Sequence, residues 1–304
     1  MFPAALTAFL FAFSGVCAGR STRLIGAMNA GFLRLLVALV FLSVYAYLWG
    51  RGHSGAGLTY FALSGAIGIG LGDTAVFQAI KRIGPRLSVM LAQCLAAPFG
   101  AAIEWGWMGT ELTATQICGI VIILCGSSLA IWPDKKMIVP PKVLLPGVLF
   151  GVLAAFGQAV GAVITRKANA VNLIGHLEID GLTAAYQRMI GALLASLVIF
   201  ALSALFQNAR NTGAAVEKSA YKKAAPWILL NALSGLTLGI ACYQWALQHT
   251  ATGIVLAIVA TTPLLVMPMT YFLDNDRPSK RALLGAFVAV AGVLVLMRSV
   301  LIPA

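Results

Sequence analysis

Residues 57–105 read GLTYFALSGAIGIGLGDTAVFQAIKRIGPRLSVMLAQCLAAPFGAAIEW, and this stretch decides the fold. Two apolar runs flank a short basic segment, Lys81-Arg82-Ile83-Gly84-Pro85-Arg86. Each run approaches about 20 residues, the length at which an α-helix crosses a hydrocarbon core of about 30 Å. The pattern predicts two antiparallel transmembrane helices joined by a tight turn, with Asp73 deep in the first of them.

The same alternation fills the rest of the 304 residues, of which 60% are hydrophobic and only 10% charged, with a mean hydropathy of +0.92. A chain so apolar cannot hide its surface in water. The fold expected is an all-α polytopic membrane protein with ten transmembrane helices, near 3–19, 25–49, 57–80, 83–105, 113–132, 144–165, 181–206, 225–247, 251–273 and 280–298. The N-terminal run lacks the basic segment of a signal peptide and is read as the first of these helices. The net charge of +12 sits in short clusters between apolar runs rather than in a basic domain, which speaks against nucleic acid as a partner and for the lipid bilayer. The five cysteines lie inside apolar stretches with no Cys-x-x-Cys spacing and no adjacent His cluster, so they read as small buried hydrophobes, and no metal is expected.

Comparing the chain with itself sets the architecture. Phe13, Thr22 and Arg23 align with Phe156, Thr165 and Arg166 at one constant separation. Ala30, Phe32, Arg34 and Leu39 align with Ala184, Tyr186, Arg188 and Leu193 at another. Farther on, Gly72 matches Gly239, Pro98 matches Pro263, Glu111 matches Asp276, and Gly119 and Gly126 match Gly285 and Gly292. The collinear order predicts two repeats, residues 1–135 and 136–304, of five helices each. An odd number of spans makes the second half enter the membrane from the opposite side. Such an inverted repeat is the architecture of secondary transporters, with the site between the halves near the midplane.

At these residues a family resemblance becomes specific. Gly70-Leu71-Gly72-Asp73, Ile83-Gly84-Pro85 through Ala97-Pro98, Trp107-Met108-Gly109-Thr110-Glu111-Leu112-Thr113 and the glycines of the fifth helix resemble the drug/metabolite transporter superfamily, in particular ten-helix proteins with two EamA-type domains. The second-half turn departs from that pattern, with Asn275 in place of Gly. The resemblance covers nearly the whole chain and implies export of small metabolites such as amino acids through a central cavity, without ATP hydrolysis. No phosphate-binding loop of the Walker type occurs, which agrees with that implication.

Lys and Arg fix the expected orientation. Arg20, Arg23, Lys81, Arg82, Arg86, Lys135, Lys136, Lys142, Arg210, Lys218, Lys222, Lys223, Arg277, Lys280 and Arg281 fall on one face, against Arg51, Arg166, Lys167 and Arg298 on the other. The positive-inside rule makes the first face cytoplasmic and puts both termini outside the cell (inner) membrane. The family resemblance implies the reverse, and the local charge bias is preferred.

Candidate site residues are polar groups inside apolar helices. Arg34 and Arg188 form a pseudo-symmetric pair that either holds an anionic substrate group or locks helix packing. Asp73 needs a cationic partner or a bound proton. It serves as a proton-coupling group, as an anchor for a substrate amine, or as a structural partner of Arg34. Gln78, Gln93, Gln158 and Gln244 are amides that need partners, and Tyr186, Tyr243 and Trp245 offer aromatic surface, as does Phe77. Pro98 and Pro263 are placed to kink helices where gating needs it. The Trp residues 49, 105, 107, 132 and 227 lie at span ends and read as an interfacial belt. No cofactor is expected, and two complete halves let the chain act as a monomer or a homodimer. A membrane enzyme lacks support, since His53, His176 and His249 show no ligand spacing, and a channel would want a filter loop or a ring of like residues.

Overall fold

The computed structural model describes residues 1–131, 140–207, 218–274 and 279–301. The repeat boundary at 135, Trp132, Asn275, Asp276 and the cations Lys135, Lys136, Arg210 and Arg277 lie outside the described residues, as do the side chains of Phe77 and Arg86. In lipid every backbone N–H and C=O must be satisfied within its own segment, and the chain meets this demand with helices alone among the described residues. They are α1 Phe2–Ile25, α2 Ala27–Leu48, α3 Leu58–Gly84, α4 Leu87–Met108, α5 Ala114–Ile131, α6 Pro141–Ile174, α7 Gly181–Gln207 and α8 Lys218–His249. Helix α9 comes in two pieces, Thr252–Val259 and Thr262–Asp274, and α10 spans Lys280–Leu301. Among the described residues nine helices are long and apolar enough to cross a bilayer, and the apolar segment Ala114–Ala130 is shorter.

The protein is thus an all-α polytopic membrane protein, as expected, but several helices outrun the sequence expectation, α8 among them, which begins at Lys218 rather than 225. Helix α1 continues past Gly19 to Ile25, and α6 runs from Pro141 to Ile174 rather than 144 to 165. Helix α6 can pass Arg166 because that guanidinium is paired inside the fold, so charge does not end the helix there. Two stretches are π-helical, Ala66–Leu71 in α3 and Ala232–Gly239 in α8, a widening that sequence periodicity does not announce. The break between α3 and α4 falls at Gly84, with φ 76° and ψ 164°, a positive φ open to a residue without Cβ and a non-helical ψ that suits the position before Pro85. Ser88 Oγ donates to the Gly84 carbonyl at 2.7 Å and caps the break.

Glycines bring helices into backbone contact. A Cβ on Gly161 would lie 2.9 Å from Gly68 Cα, and one on Gly157 would lie 3.6 Å from Gly72 Cα, so α6 rides on α3. Helix α5 meets α10 along another such seam. A Cβ on Gly126 would lie 2.7 Å from the Gly285 carbonyl, and one on Gly292 would lie 3.0 Å from that of Gly119. Without a hydrophobic drive between helices in lipid, close packing of this kind supplies the adhesion. The outer surface carries the apolar side chains, among them Val40, Phe41, Phe287 and Val290, as lipid requires. Trp49, Trp105 and Trp107 are exposed at helix ends, whereas Trp227 packs under Arg20 at 4.4 Å. Cys17 and Cys94 are buried, but Cys118 and Cys125 face outward on α5, which corrects the expectation that all five cysteines are core residues. Which face of α5 turns inward is set by its glycine seam with α10, not by the cysteines.

Candidate functional site

A cavity of about 300 Å³ lies at the centre of the bundle, and every helix except α5 and α10 contributes to its lining. Its polar lining includes Ser14 from α1, Arg34 from α2, Asp73 from α3, Gln93 from α4, Gln158 from α6, Arg188 from α7, Tyr243 from α8 and Thr262 from α9. Each of these comes from an otherwise apolar span, and the cavity is where a polar side chain at that depth finds company other than lipid.

Arg34 Nη2 lies 3.0 Å from Asp73 Oδ2, so the two deep charges of α2 and α3 form an ion pair. The Asp73 side chain keeps 42% of its surface exposed and the Arg34 side chain 20%, and both line the cavity. Arg188 is only 3% exposed. Its guanidinium carbon sits 5.5 Å from the Tyr243 ring centroid, a cation–π contact, and Tyr243 in turn leans on Phe11 at 6.3 Å. Ser14 Oγ donates to Asn231 Oδ1 at 2.7 Å, tying α1 to α8 at the same depth. The kink in α9 is held by Thr261 Oγ1 and Thr262 Oγ1, which donate at 2.6 Å to the carbonyls of Ile258 and Val259. Pro263 stands at the start of the second piece, where its missing N–H costs little. Helix α4 passes Pro98 without leaving helical geometry, and that residue faces outward.

Six of the ten candidate side chains therefore meet at the cavity: Arg34, Asp73, Gln93, Gln158, Arg188 and Tyr243. The other four lie elsewhere. Gln78 Oε1 accepts from Arg82 Nη1 at 2.7 Å. The Tyr186 hydroxyl stands 3.2 Å from His53 Nε2 and 3.4 Å from the Tyr47 hydroxyl. Gln244 is buried away from the cavity, and Trp245 is half exposed beside Glu178, Asp180 and His249 at the face that holds Met1.

That face is cross-linked by a set of groups that the sequence pattern does not single out. Glu104 Oε1 pairs with Arg166 Nε at 2.6 Å, and Arg166 Nη1 donates to the carbonyls of Leu247 and Thr250. The Thr252 N–H donates to Glu104 Oε2 at 2.5 Å, so one ion pair binds α4, α6 and the α8–α9 turn. Nearby, Gln187 Nε2 donates to the Gly52 and Ser54 carbonyls, and Ser64 Oγ donates to the Gly161 carbonyl at 2.6 Å. A carboxylate within the run Phe99–Trp107 was the available signal for Glu104. Among the described residues no three His, Cys, Asp or Glu side chains gather as a metal site.

The profile of the EamA-like transporter family matches residues 1–132 and again residues 145–298. Proteins of Staphylococcus aureus strains Mu50 and N315 named "Putative ribose uptake protein RbsU" are 24% identical over 250 residues, 80% of this chain and 78% of theirs. The strain COL protein of that name is 23% identical over the same share. One solved crystal structure of a protein superposes with a TM-score of 0.70 at 18% identity, over 97% of this chain and 96% of the other, a likeness of fold.

Proposed function

The chain belongs to the EamA-like transporter family, and from that premise we propose that it is a secondary transporter moving small polar metabolites such as amino acids across the cell membrane by alternating access, outward from the cell. The observation that carries this reading is the central cavity, where a carboxylate, two guanidiniums, two amides and a phenol from separate helices meet in a space of about 300 Å³. A zwitterion can use the acidic and the basic groups together. Counterflow into liposomes holding the purified protein tests it: saturable exchange of an amino acid is expected, and no exchange of any polar metabolite in a broad panel overturns it. Pentose uptake is the second reading, favoured by the staphylococcal relatives named for ribose uptake. Exchange of pentoses alone would select it. Neither reading includes a chemical step or a cofactor.

The alternating mechanism rests on two inverted five-helix repeats, 1–135 and 136–304. Support comes from the double match to the family profile, from a π-helical stretch in the third helix of each half, and from glycine pairs of α5 and α10 that pack on one another. Two such halves let a single chain work. The cation bias places the termini outside, so a phosphatase fused after Ala304 is expected to be active on the outer side of the membrane. Activity of a cytoplasmic reporter there, without phosphatase activity, reverses the orientation.

Asp73 is the group we assign to proton coupling, because its carboxylate lies in the cavity beside Arg34. Asp73→Asn cannot exchange a proton, so its transport is expected to lose its pH dependence. An unchanged pH profile removes Asp73 from that role.

A further inference from the structure

The charges that line the cavity do not cancel. Arg34 and Asp73 neutralise one another at 3.0 Å, and Arg188 is left as a second cation. Its burial is nearly complete, at 3% exposure, and Nε and Nη1 donate to no protein acceptor. The fold reserves room for this side chain. A Cβ on Gly68 would lie 2.7 Å from Arg188 Nη2, and one on Gly65 would lie 2.9 Å from its Cγ. The Tyr243 ring offers its face, but a quadrupole replaces little of the hydration that a guanidinium loses. A buried guanidinium with unused donors is costly alone and favourable once an oxyanion meets it, and its planar fork suits carboxylate and phosphate alike.

We infer that the transported solute carries an anionic group, a carboxylate or a phosphate, which docks on Arg188, so that charge sets the specificity of the cavity ahead of hydroxyl pattern. A neutral pentose would leave Nε and Nη1 without a charged acceptor, whereas an acid of the same size would pair with them and present its remaining polar atoms to Gln93 and Gln158. Gln93 Oε1 has no partner of its own and can accept a hydroxyl or ammonium proton from that solute. The inference rests on the transport function proposed above.

The test compares ribose, ribonate, ribose 5-phosphate and alanine, both in counterflow and as ligands that raise the melting temperature of the purified protein. At least one of the three charged solutes is expected to exchange and to stabilise at concentrations tenfold or more below those ribose requires. The carboxylates and the phosphate ester form separate arms that tell the two oxyanions apart. Arg188→Gln is expected to erase this discrimination and Arg188→Lys to keep part of it. Handling of ribose on a par with all three charged solutes by the unaltered protein overturns the inference without any variant, as does retained anion preference in Arg188→Gln. Arg188-dependent stabilisation without exchange upholds the anion site and sinks the transport reading. No stabilisation and no exchange by any of the charged solutes overturns the inference, and the transport reading falls with it only if ribose is not exchanged either.

Discussion

Replacing Glu104 by Ala is expected to cost about 3–5 kcal/mol of stability. Glu104 is 2% exposed and accepts from the Thr252 N–H while its other oxygen pairs with Arg166. Removing the carboxylate takes the acceptor from Arg166 Nε and from the Thr252 N–H together. The doubly neutral Glu104→Gln, Arg166→Gln protein is expected to recover a large part of the loss, because the penalty belongs to the unpaired charge and not to the absence of the pair. Unfolding midpoints of the three proteins in one detergent measure it. An Ala variant as stable as the parent would mean that the pair contributes nothing net, and a double variant worse than the single would mean that its Coulomb attraction outweighs the desolvation of both ions.

The second large effect is expected at Gly65. Helices α3 and α7 cross with their backbones touching. A Cβ on Gly65 would run into the Arg188 carbonyl, and one on Gly191 would run into that of Ala62. The obstacles are main chain, which cannot swing aside as a flexible side chain can. Gly65→Val therefore has to part the two helices, at about 1–3 kcal/mol for overpacking of this kind. The same displacement shifts Arg188, so substrate exchange is expected to fall with stability. Gly31→Ala is the control, since a Cβ there meets nothing within 4 Å, and its unfolding midpoint is expected within about 0.5 kcal/mol of the parent value. A Gly65→Val protein that matches this control would show that the crossing relaxes without strain.

Helix count, class and the deep charges were readable because lipid leaves little choice. A run of apolar residues of spanning length has to be a helix, and an Arg or Asp inside it must find a partner or a cavity. The Arg34–Asp73 pair answers that rule, although α2 packs chiefly on α1, α7 and α8 and reaches Asp73 through the arginine's long side chain. Phase around each helix was not readable. Tyr186, Gln187 and Arg188 are consecutive and point about 100° apart, so only Arg188 reaches the cavity. Gln187 bonds the Gly52 and Ser54 carbonyls, and Tyr186 meets His53. On α8, Tyr243, Gln244 and Trp245 diverge likewise, and only Tyr243 lines the cavity. In a helix that is apolar all round, no contrast between an apolar stripe and a polar one marks the inner face.

Glu104 and Arg166 show the same division at longer range. Each is recognisable in sequence as a charge within or beside an apolar run, but their pairing depends on α4 lying against α6, and that contact is set by how helices from different parts of the chain pack. The sequence alone determined that this chain crosses the membrane in a succession of helices, which of those helices carry charge, and where small residues permit close approach, because these are properties of single segments in lipid. Only the tertiary structure decided which polar side chains share the cavity and which ones lock the face that holds Met1, because the rotation of each helix is settled by its neighbours.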